Sequence, residues 1–309
     1  MSTAPRLAVL VPAKDEADNL PEFVRLCGEA LPRTGLPFEV VIVDDGSRDA
    51  TPRVLADLAA SHPWLKVVTH RRQLGIADAL RSATDASSGD ILVFYPADLQ
   101  YLPEDIPSLV APIVAGDADI VTGTKQGKYE KALVSTVYNS LSRWLFGVRV
   151  TDLNSVKAYR RDVMVNVPMR PDWHRFMVAI AAAEGHRITS VPVPLYPRTA
   201  GVSKFTWRRI PVGVLDLLSV WFQLRFGRKP MLFFGIGGAF LFLLGSIIGL
   251  IAVILRFTQR ADVALMVNLV MTMVITGVML FGFGLVGELV AGLREEQREL
   301  ARRLQDRRD

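Results

Sequence analysis

Three acidic clusters each close a short apolar run. Leu7–Val11 leads into Pro12-Ala13-Lys14-Asp15-Glu16, and Phe38–Val43 leads into Asp44-Asp45-Gly46-Ser47. Ile91–Tyr95 leads into Pro96-Ala97-Asp98-Leu99-Gln100. Carboxylates brought to one place repel unless hydrogen-bond donors or a cation compensate them. A nucleotide sugar with its divalent metal supplies both, through ribose hydroxyls that donate and a cation that neutralises the diphosphate. Any one cluster also has the composition of an ordinary turn. Three of them, each at the end of an apolar run, point to a site.

The elements that must position these acids alternate in type. Strand-like Leu7–Val11, Phe38–Val43, Leu65–Thr69 and Ile91–Tyr95 are separated by helical spacing over Asn19–Leu31, Thr51–Ser61 and Ile76–Ala86. This alternation predicts an α/β domain with a mainly parallel sheet covered by helices. Ligands of such sheets lie beyond the carboxyl ends of the strands, where the acids fall. The chain has neither a P-loop nor G-x-G-x-x-G after the first strand, so it does not hold a nucleotide as kinases and dehydrogenases do. It also lacks the G-x-S-x-G elbow of the serine hydrolases. Cys27 is the sole cysteine, read as a packed helix residue. His62, His70, His174 and His186 lack metal-site spacing.

Half of the 309 residues are hydrophobic, and mean hydropathy is +0.28. The excess lies after Met231. Met231–Leu255 and Val263–Gly287 carry no charged residue, and each exceeds the roughly 20 residues that span a bilayer core. The short link Arg256–Asp262 makes them a hairpin. Arg208, Arg209, Arg225, Arg228 and Lys229 precede it, and Arg294, Arg298, Arg302, Arg303, Arg307 and Arg308 follow it, against Arg256 and Arg260 in the link. The larger basic count predicts that both ends face the cytoplasm. Residues 1–12 hold no apolar segment of signal-peptide length, which predicts that the front domain stays on that side. Between the parts, Phe205, Trp207, Trp221, Phe222 and Phe226 interleave with Arg208, Arg209 and Arg225, as in helices lying at a membrane surface. The expected organisation is 1–204 catalytic domain, 205–230 interfacial helices, 231–290 transmembrane hairpin and 291–309 charged tail. The net charge of +5 suits an anionic partner. No DNA-binding pattern accompanies it, so nucleic acid is not expected.

The segments VPAKDEADNL, VVIVDDGSRDAT, GIADALRSA, ASSGDILVFYPADLQYLPEDI and DLNSVKAYRRDV resemble the family 2 glycosyltransferases of GT-A fold. Within these the chain is similar to the polyprenyl-phosphate glycosyltransferases, the group of dolichol-phosphate mannose synthase and bacterial undecaprenyl-phosphate sugar transferases. The resemblance covers residues 5 to 205 and implies a nucleotide-sugar donor, a polyprenyl phosphate acceptor and a divalent cation, Mg2+ or Mn2+. It implies that Pro12, Glu16 and Asp44 border base and ribose, and that Asp98 and Gln100 hold metal and diphosphate. It implies that Lys125 meets phosphate and that Asp152 and Asn154 begin an acceptor-side segment ending near Lys157 and Arg160. Asp152 would orient the acceptor or act as base. Arg198, Ser203 and Lys204 would belong to a loop closing over donor and lipid phosphate. Two positions depart from the family pattern. Pro96 stands where the first acid of Asp-x-Asp-x-Gln is usual, and Lys125 stands where arginine is usual. A hard cation needs only one or two carboxylates when phosphates also bind it. A lysine meets phosphate as a point charge rather than a fork.

These readings converge on an inverting transferase at the cytoplasmic face of a membrane, the inner membrane of a bacterium; a homo-oligomer is left open. One alternative is a processive polysaccharide synthase, for which Gln223-Leu224-Arg225-Phe226 is only a loose echo of Gln-x-x-Arg-Trp. The other is a non-catalytic membrane protein that binds nucleotide sugar.

Overall fold

The computed structural model describes residues 5–126, 145–146, 155–165, 173–197, 209–259 and 263–305. The chain divides into two compact units, Met1–Leu217 and Leu218–Asp309.

The first unit is built on a seven-stranded sheet. Its strands are β1 (Leu7–Ala13), β2 (Phe38–Asp44), β3 (Leu65–Thr69), β4 (Ile91–Phe94), β5 (Ile120–Gln126), β6 (Lys157–Arg160) and β7 (Ile188–Pro194), in the order β3-β2-β1-β4-β6-β5-β7. β1 pairs in parallel with β2 and with β4, and β2 with β3. This is the expected parallel frame. β6 runs antiparallel to both β4 and β5, while β5 and β7 are parallel. β1 and β2 are apolar at nearly every position because helices cover both faces of a sheet of this kind.

Helices α1 (Leu20–Ala30), α2 (Thr51–Ser61), α3 (Ile76–Ala86) and α4 (Ile106–Val114) fall where the periodicity places them or add to it. Pro21 and Pro52 occupy first-turn positions of α1 and α2, where a missing N–H costs nothing. α1 buries Leu20, Phe23, Val24, Leu26, Cys27 and Ala30 against the sheet. Emptying one such site, as in Phe23→Ala, typically costs about 3–5 kcal/mol. Burial pushes the Cys27 thiol up, so it stays protonated and inert, in line with its reading as a packed residue. α5 (Arg161–Val165) follows β6 and α6 (Met177–Ala183) precedes β7. Arg161 ties the end of α3 to the start of β4. Its guanidinium donates to the carbonyls of Gly89 at 2.6 Å, Ser87 at 3.0 Å and Thr84 at 3.2 Å, and to Ser87 Oγ at 2.7 Å.

α7 (Arg209–Phe226) crosses the division between the units. The second unit otherwise consists of α8 (Pro230–Gln259) and α9 (Ala264–Gln305). Both helices are long and apolar enough to cross a membrane, by length and composition. Large apolar side chains such as Phe240, Leu250, Ile275 and Val286 point outward. The helices meet along glycines. A Cβ on Gly238 would lie 2.6 Å from Gly277 O, and one on Gly277 would lie 2.8 Å from Gly238 O, so only glycine fits this crossing. Glu288 of α9 accepts from the free N–H of Met231 at 3.3 Å, placing a carboxylate at the positive end of α8. The Phe226 ring meets those of Trp221 and Phe222, Phe222 packs on Phe233 and Phe234 of α8, and Phe226 packs on Phe233 with centroids 4.9 Å apart. The charged stretch after Gly292 continues α9 without a break as far as Gln305.

Candidate active site

The order of the strands reverses at β1, which has β2 on one side and β4 on the other. The loops leaving these strands therefore diverge and leave a crevice at their carboxyl edge. Ala13 and Asp44, the last residues of β1 and β2, are register partners, so the two following loops start side by side. They are laced together. Asp45 N donates to Ala13 O at 2.9 Å, Asp15 N to Ser47 Oγ at 2.9 Å, and Arg48 N to Asp15 Oδ1 at 2.8 Å. Glu16 N donates to Thr51 Oγ1 at 2.9 Å, and Lys14 Nζ to Gly46 O at 3.3 Å. Asp15 takes φ 55° to make these bonds, a conformation aspartate tolerates better than most residues.

The third wall is the loop after β3. Its anchor is Asp45, which is 5% exposed. Asp45 Oδ1 accepts from His70 Nδ1 at 2.8 Å and Leu74 N at 2.8 Å, and Oδ2 accepts from Gly75 N at 2.8 Å. Burial alone would raise this carboxyl, but these hydrogen bonds outweigh it and hold it below the usual carboxylate range. The other ring nitrogen of His70 meets Ser82 Oγ of α3 at 2.9 Å. Gly46 has φ 68° and packs directly on the Arg72–Gln73 peptide bond. Between these loops lies a cleft of 610 Å³ whose walls include Lys14, Asp15, Asp44, Arg48, Arg71 and Arg72. That volume is within the roughly 300–1,000 Å³ of small-molecule sites. Asp44 is 1% exposed at its floor and accepts from Ser47 N at 3.0 Å through Oδ1. A floor acid with basic walls can accept from N–H or O–H groups and donate to carbonyl or phosphate oxygens. The cavity of 310 Å³ between α8 and α9, around Gly249 and Val270, has apolar walls apart from Arg256 and lacks such chemistry.

Across the crevice, after β4, Asp98 Oδ1 accepts from Gln100 N at 3.3 Å. Leu99 between them has φ 54°, a region that costs a bulky residue about 1–2 kcal/mol. The turn is held from outside. Tyr95 Oη donates to Leu102 O at 2.6 Å, Tyr196 N to Gln100 O at 2.9 Å, and Ser155 Oγ to Tyr101 Oη at 3.4 Å. Backbone strain fixed in this way is characteristic of functional turns. Asp98 and Gln100 offer a carboxylate and an amide oxygen. Among the described residues no three His, Cys, Asp or Glu side chains gather into a metal cage. A cation here needs oxygens from diphosphate and water as well, which is how small hard cations usually bind. The residues present fit a divalent ion shared with a bound diphosphate.

The sequence-predicted residues fall into three groups. Asp44 lies in the cleft, Pro12 pairs with Val43 next to Asp44 but does not line the cleft, and Asp98 and Gln100 form the turn after β4. Glu16 is near, but its carboxylate accepts from Asn19 Nδ2 at 2.7 Å at the start of α1. Lys125 stands on β5, paired with Val193 of β7, on the far side of β6 from β4. Asp152, Asn154, Arg198, Ser203 and Lys204 lie outside the described residues. Sequence reasoning missed Arg48, Arg71, Arg72 and the bracket made by Asp45 and His70. The basic pair after β3 was the available signal, since it follows a strand end as the acids do.

Glycosyl transferase family 2 matches residues 8–157. The chain is 29% identical over 305 residues to undecaprenyl-phosphate 4-deoxy-4-formamido-L-arabinose transferase of Klebsiella pneumoniae subsp. pneumoniae, covering 95% of this chain and 90% of that one. It is 29% identical over 297 residues to dodecaprenyl-phosphate galacturonate synthase of Rhizobium johnstonii, covering 92% and 87%. Glucosyl-3-phosphoglycerate synthase from Mycobacterium tuberculosis, solved with Mn2+, UDP and glucosyl-3-phosphoglycerate, superposes with TM-score 0.56 at 19% identity. That match covers 71% of this chain and 80% of that one. The first unit thus has a GT-A-like fold.

Proposed function

With residues 8–157 a glycosyl transferase family 2 domain, we propose that the chain transfers a sugar from a UDP- or GDP-linked donor to a polyprenyl phosphate at the cytoplasmic face of a bacterial inner membrane. One observation carries the reading. Relatives named for undecaprenyl and dodecaprenyl phosphate align over 95% and 92% of this chain, a span that takes in the apolar hairpin as well as the first unit. A polyprenyl chain cannot leave the bilayer, so its phosphate has to be met at headgroup depth.

In this reading the laced loops after β1 and β2 hold base and ribose, with Asp44 accepting from the base and Pro12 and Glu16 bordering it. Asp98 and Gln100 hold the diphosphate end. A divalent cation bound there with the diphosphate would offset the charge of the leaving group. The acceptor is already an anion and needs little help from a base. Its phosphate oxygen forms a bond to the anomeric carbon from the side opposite the diphosphate. The carbon–oxygen bond to the diphosphate breaks, the nucleoside diphosphate leaves with the electron pair, and configuration inverts. The chain's contribution is positioning and charge stabilisation. Lys125, Arg198, Ser203 and Lys204 are assigned to the acceptor phosphate, and Asp152 to orienting it.

Asp98→Ala tests the reading in the full chain in nanodiscs, with undecaprenyl phosphate and a panel of nucleotide sugars. Transfer should fall at least about 10²–10³-fold, as when one preorganised charge stabiliser is removed. The melting temperature should stay at the parent value. Transfer near the parent rate would remove Asp98 from the diphosphate site.

A further inference from the structure

Lys157 is fully buried, at 0% exposure, in β6, which runs antiparallel to both its neighbours. A lysine ammonium is costly to take out of water, and buried lysines without a task are rare. β6 is reversed, so Lys157 at its start sits beside the end of β4, paired with Phe94, and is paired on its other side with Thr122 of β5. The edge that carries Asp98 therefore also carries Lys157. Its Nζ lies 5.6 Å from the centre of the Phe94 ring and donates to Ser155 O at 2.8 Å. Buried beside it is His174, whose ring stands 6.2 Å from that of Phe94. Burial first, then the charges of Lys157 and Arg175, push His174 down to about 3. His174 is thus held neutral beside Lys157 and Arg175.

The residue that Lys157 grips is a junction. Ser155 is 2% exposed, and its Oγ donates to Tyr101 Oη. Tyr101 directly follows Gln100. On the other side Ser155 and Val156 press on β5. A Cβ on Gly123 would lie 2.8 Å from Val156 Cγ2 and 3.1 Å from Ser155 Oγ, while Gly123 N donates to Val156 O at 2.9 Å. One ammonium thus fixes the carbonyl of the residue that links β5 to the back of the turn holding Asp98 and Gln100.

We propose that Lys157 is a positioning residue for the Asp98–Gln100 turn, acting through Ser155 and Tyr101 to hold the cation and diphosphate donors in their working geometry. The proposal rests on the transferase reading for its effect on turnover, and on the structure alone for its effect on the turn. The experiment compares Lys157→Met, Lys157→Arg and Tyr101→Phe with the parent in nanodiscs. Three quantities are read: hydrogen exchange of the Tyr196 amide, which donates to Gln100 O; Mn2+ affinity in the presence of UDP by electron paramagnetic resonance; and transfer per folded molecule. Lys157→Met should keep the melting temperature, speed exchange at Tyr196, and weaken Mn2+ by roughly 10–100-fold, as expected when a group behind a ligand is removed. Lys157→Arg should recover part of the affinity, and Tyr101→Phe should shift affinity and exchange in the direction of Lys157→Met. Unchanged exchange and Mn2+ affinity in a folded Lys157→Met protein would overturn the proposal. So would losses of transfer that only follow the folded fraction. Should Lys157→Met not fold, Tyr101→Phe decides, and parent-like values there overturn it equally. A parent that binds Mn2+ with UDP yet transfers no sugar would instead defeat the transferase reading and leave the exchange result standing.

Discussion

The closeness of Gly46 to the loop after β3 can be turned into a number. A Cβ at Gly46 would lie 2.6 Å from Arg72 C, 2.7 Å from Gln73 N and 2.9 Å from Arg72 Cα. All three are backbone atoms, so no change of rotamer relieves the clash. Gly35 provides the internal reference, because its φ of 69° matches the 68° of Gly46 and nothing lies within 4 Å of its Cβ position. Gly35→Ala therefore isolates the backbone penalty, about 1–2 kcal/mol. Gly46→Ala adds overpacking of about 1–3 kcal/mol. Its total of about 2–5 kcal/mol is spent by moving one wall of the cleft away from the other. UDP affinity should fall at least tenfold, equivalent to about 1.4 kcal/mol, in Gly46→Ala and stay at the parent value in Gly35→Ala. Urea unfolding followed by circular dichroism gives the stabilities, and calorimetry with UDP gives the affinities. Equal destabilisation by the two substitutions, with UDP affinity intact in both, would refute the steric argument and with it the placement of the nucleotide between these loops.

Arg161→Met should destabilise the catalytic unit by about 2–4 kcal/mol, because it leaves the carbonyls of Thr84, Ser87 and Gly89 without their charged donor; a urea midpoint at the parent value would contradict this. Hydrogen bonds from Arg187, followed by its backbone N–H, hold the Asp119 carboxyl down to about 2. A depressed carboxyl stabilises above its unfolded value of about 4 and loses that contribution as pH falls toward 2. Arg187→Ala should therefore lower stability at pH 6, with the difference from the parent shrinking as pH falls through 2, measured as urea midpoints across that range. In the hairpin, a Cβ on Gly245 would stand 3.1 Å from Met273 Cβ, so cysteines at these two positions should form a disulfide in a Cys27→Ala background. Adding Gly277→Leu should abolish that cross-link, and its persistence would mean that the Gly238–Gly277 crossing does not set the helix spacing.

The frame of the fold is readable in the sequence because its signals are local. β1, β2 and β4 are largely apolar runs of the length a covered strand requires, β3 is a shorter run that keeps Leu65 buried, and α1 to α3 carry helical spacing with proline in the first turn of two of them. β6 escapes such reading, since four residues, Lys-Ala-Tyr-Arg, carry no usable period and begin with a lysine that composition alone would send to the surface. The site divides in the same way. That acids at strand ends gather is legible. That Asp44 faces the cleft while its neighbour Asp45 braces the loop after β3 is a matter of register, since Asp44 is the last residue paired with β1 and Asp45 the first beyond it. His70 shows no metal spacing, and its role appears only when β3 brings it between Asp45 and Ser82.

The lacing of the loops after β1 and β2 has a consequence for recognition. Fixing one residue's backbone costs about 1–2 kcal/mol of conformational entropy. Lys14, Asp15 and Glu16 are bound to Gly46, Ser47, Arg48 and Thr51 across the two loops, so that ordering is completed when the domain folds. On the proposed reading, a nucleotide arriving at this cleft meets loops already tied together and does not have to draw them in. Its capture at this wall should be fast, without a slow isomerisation after encounter, and selectivity among bases should come from the fixed placement of Asp44 and the surrounding cations rather than from a closing movement.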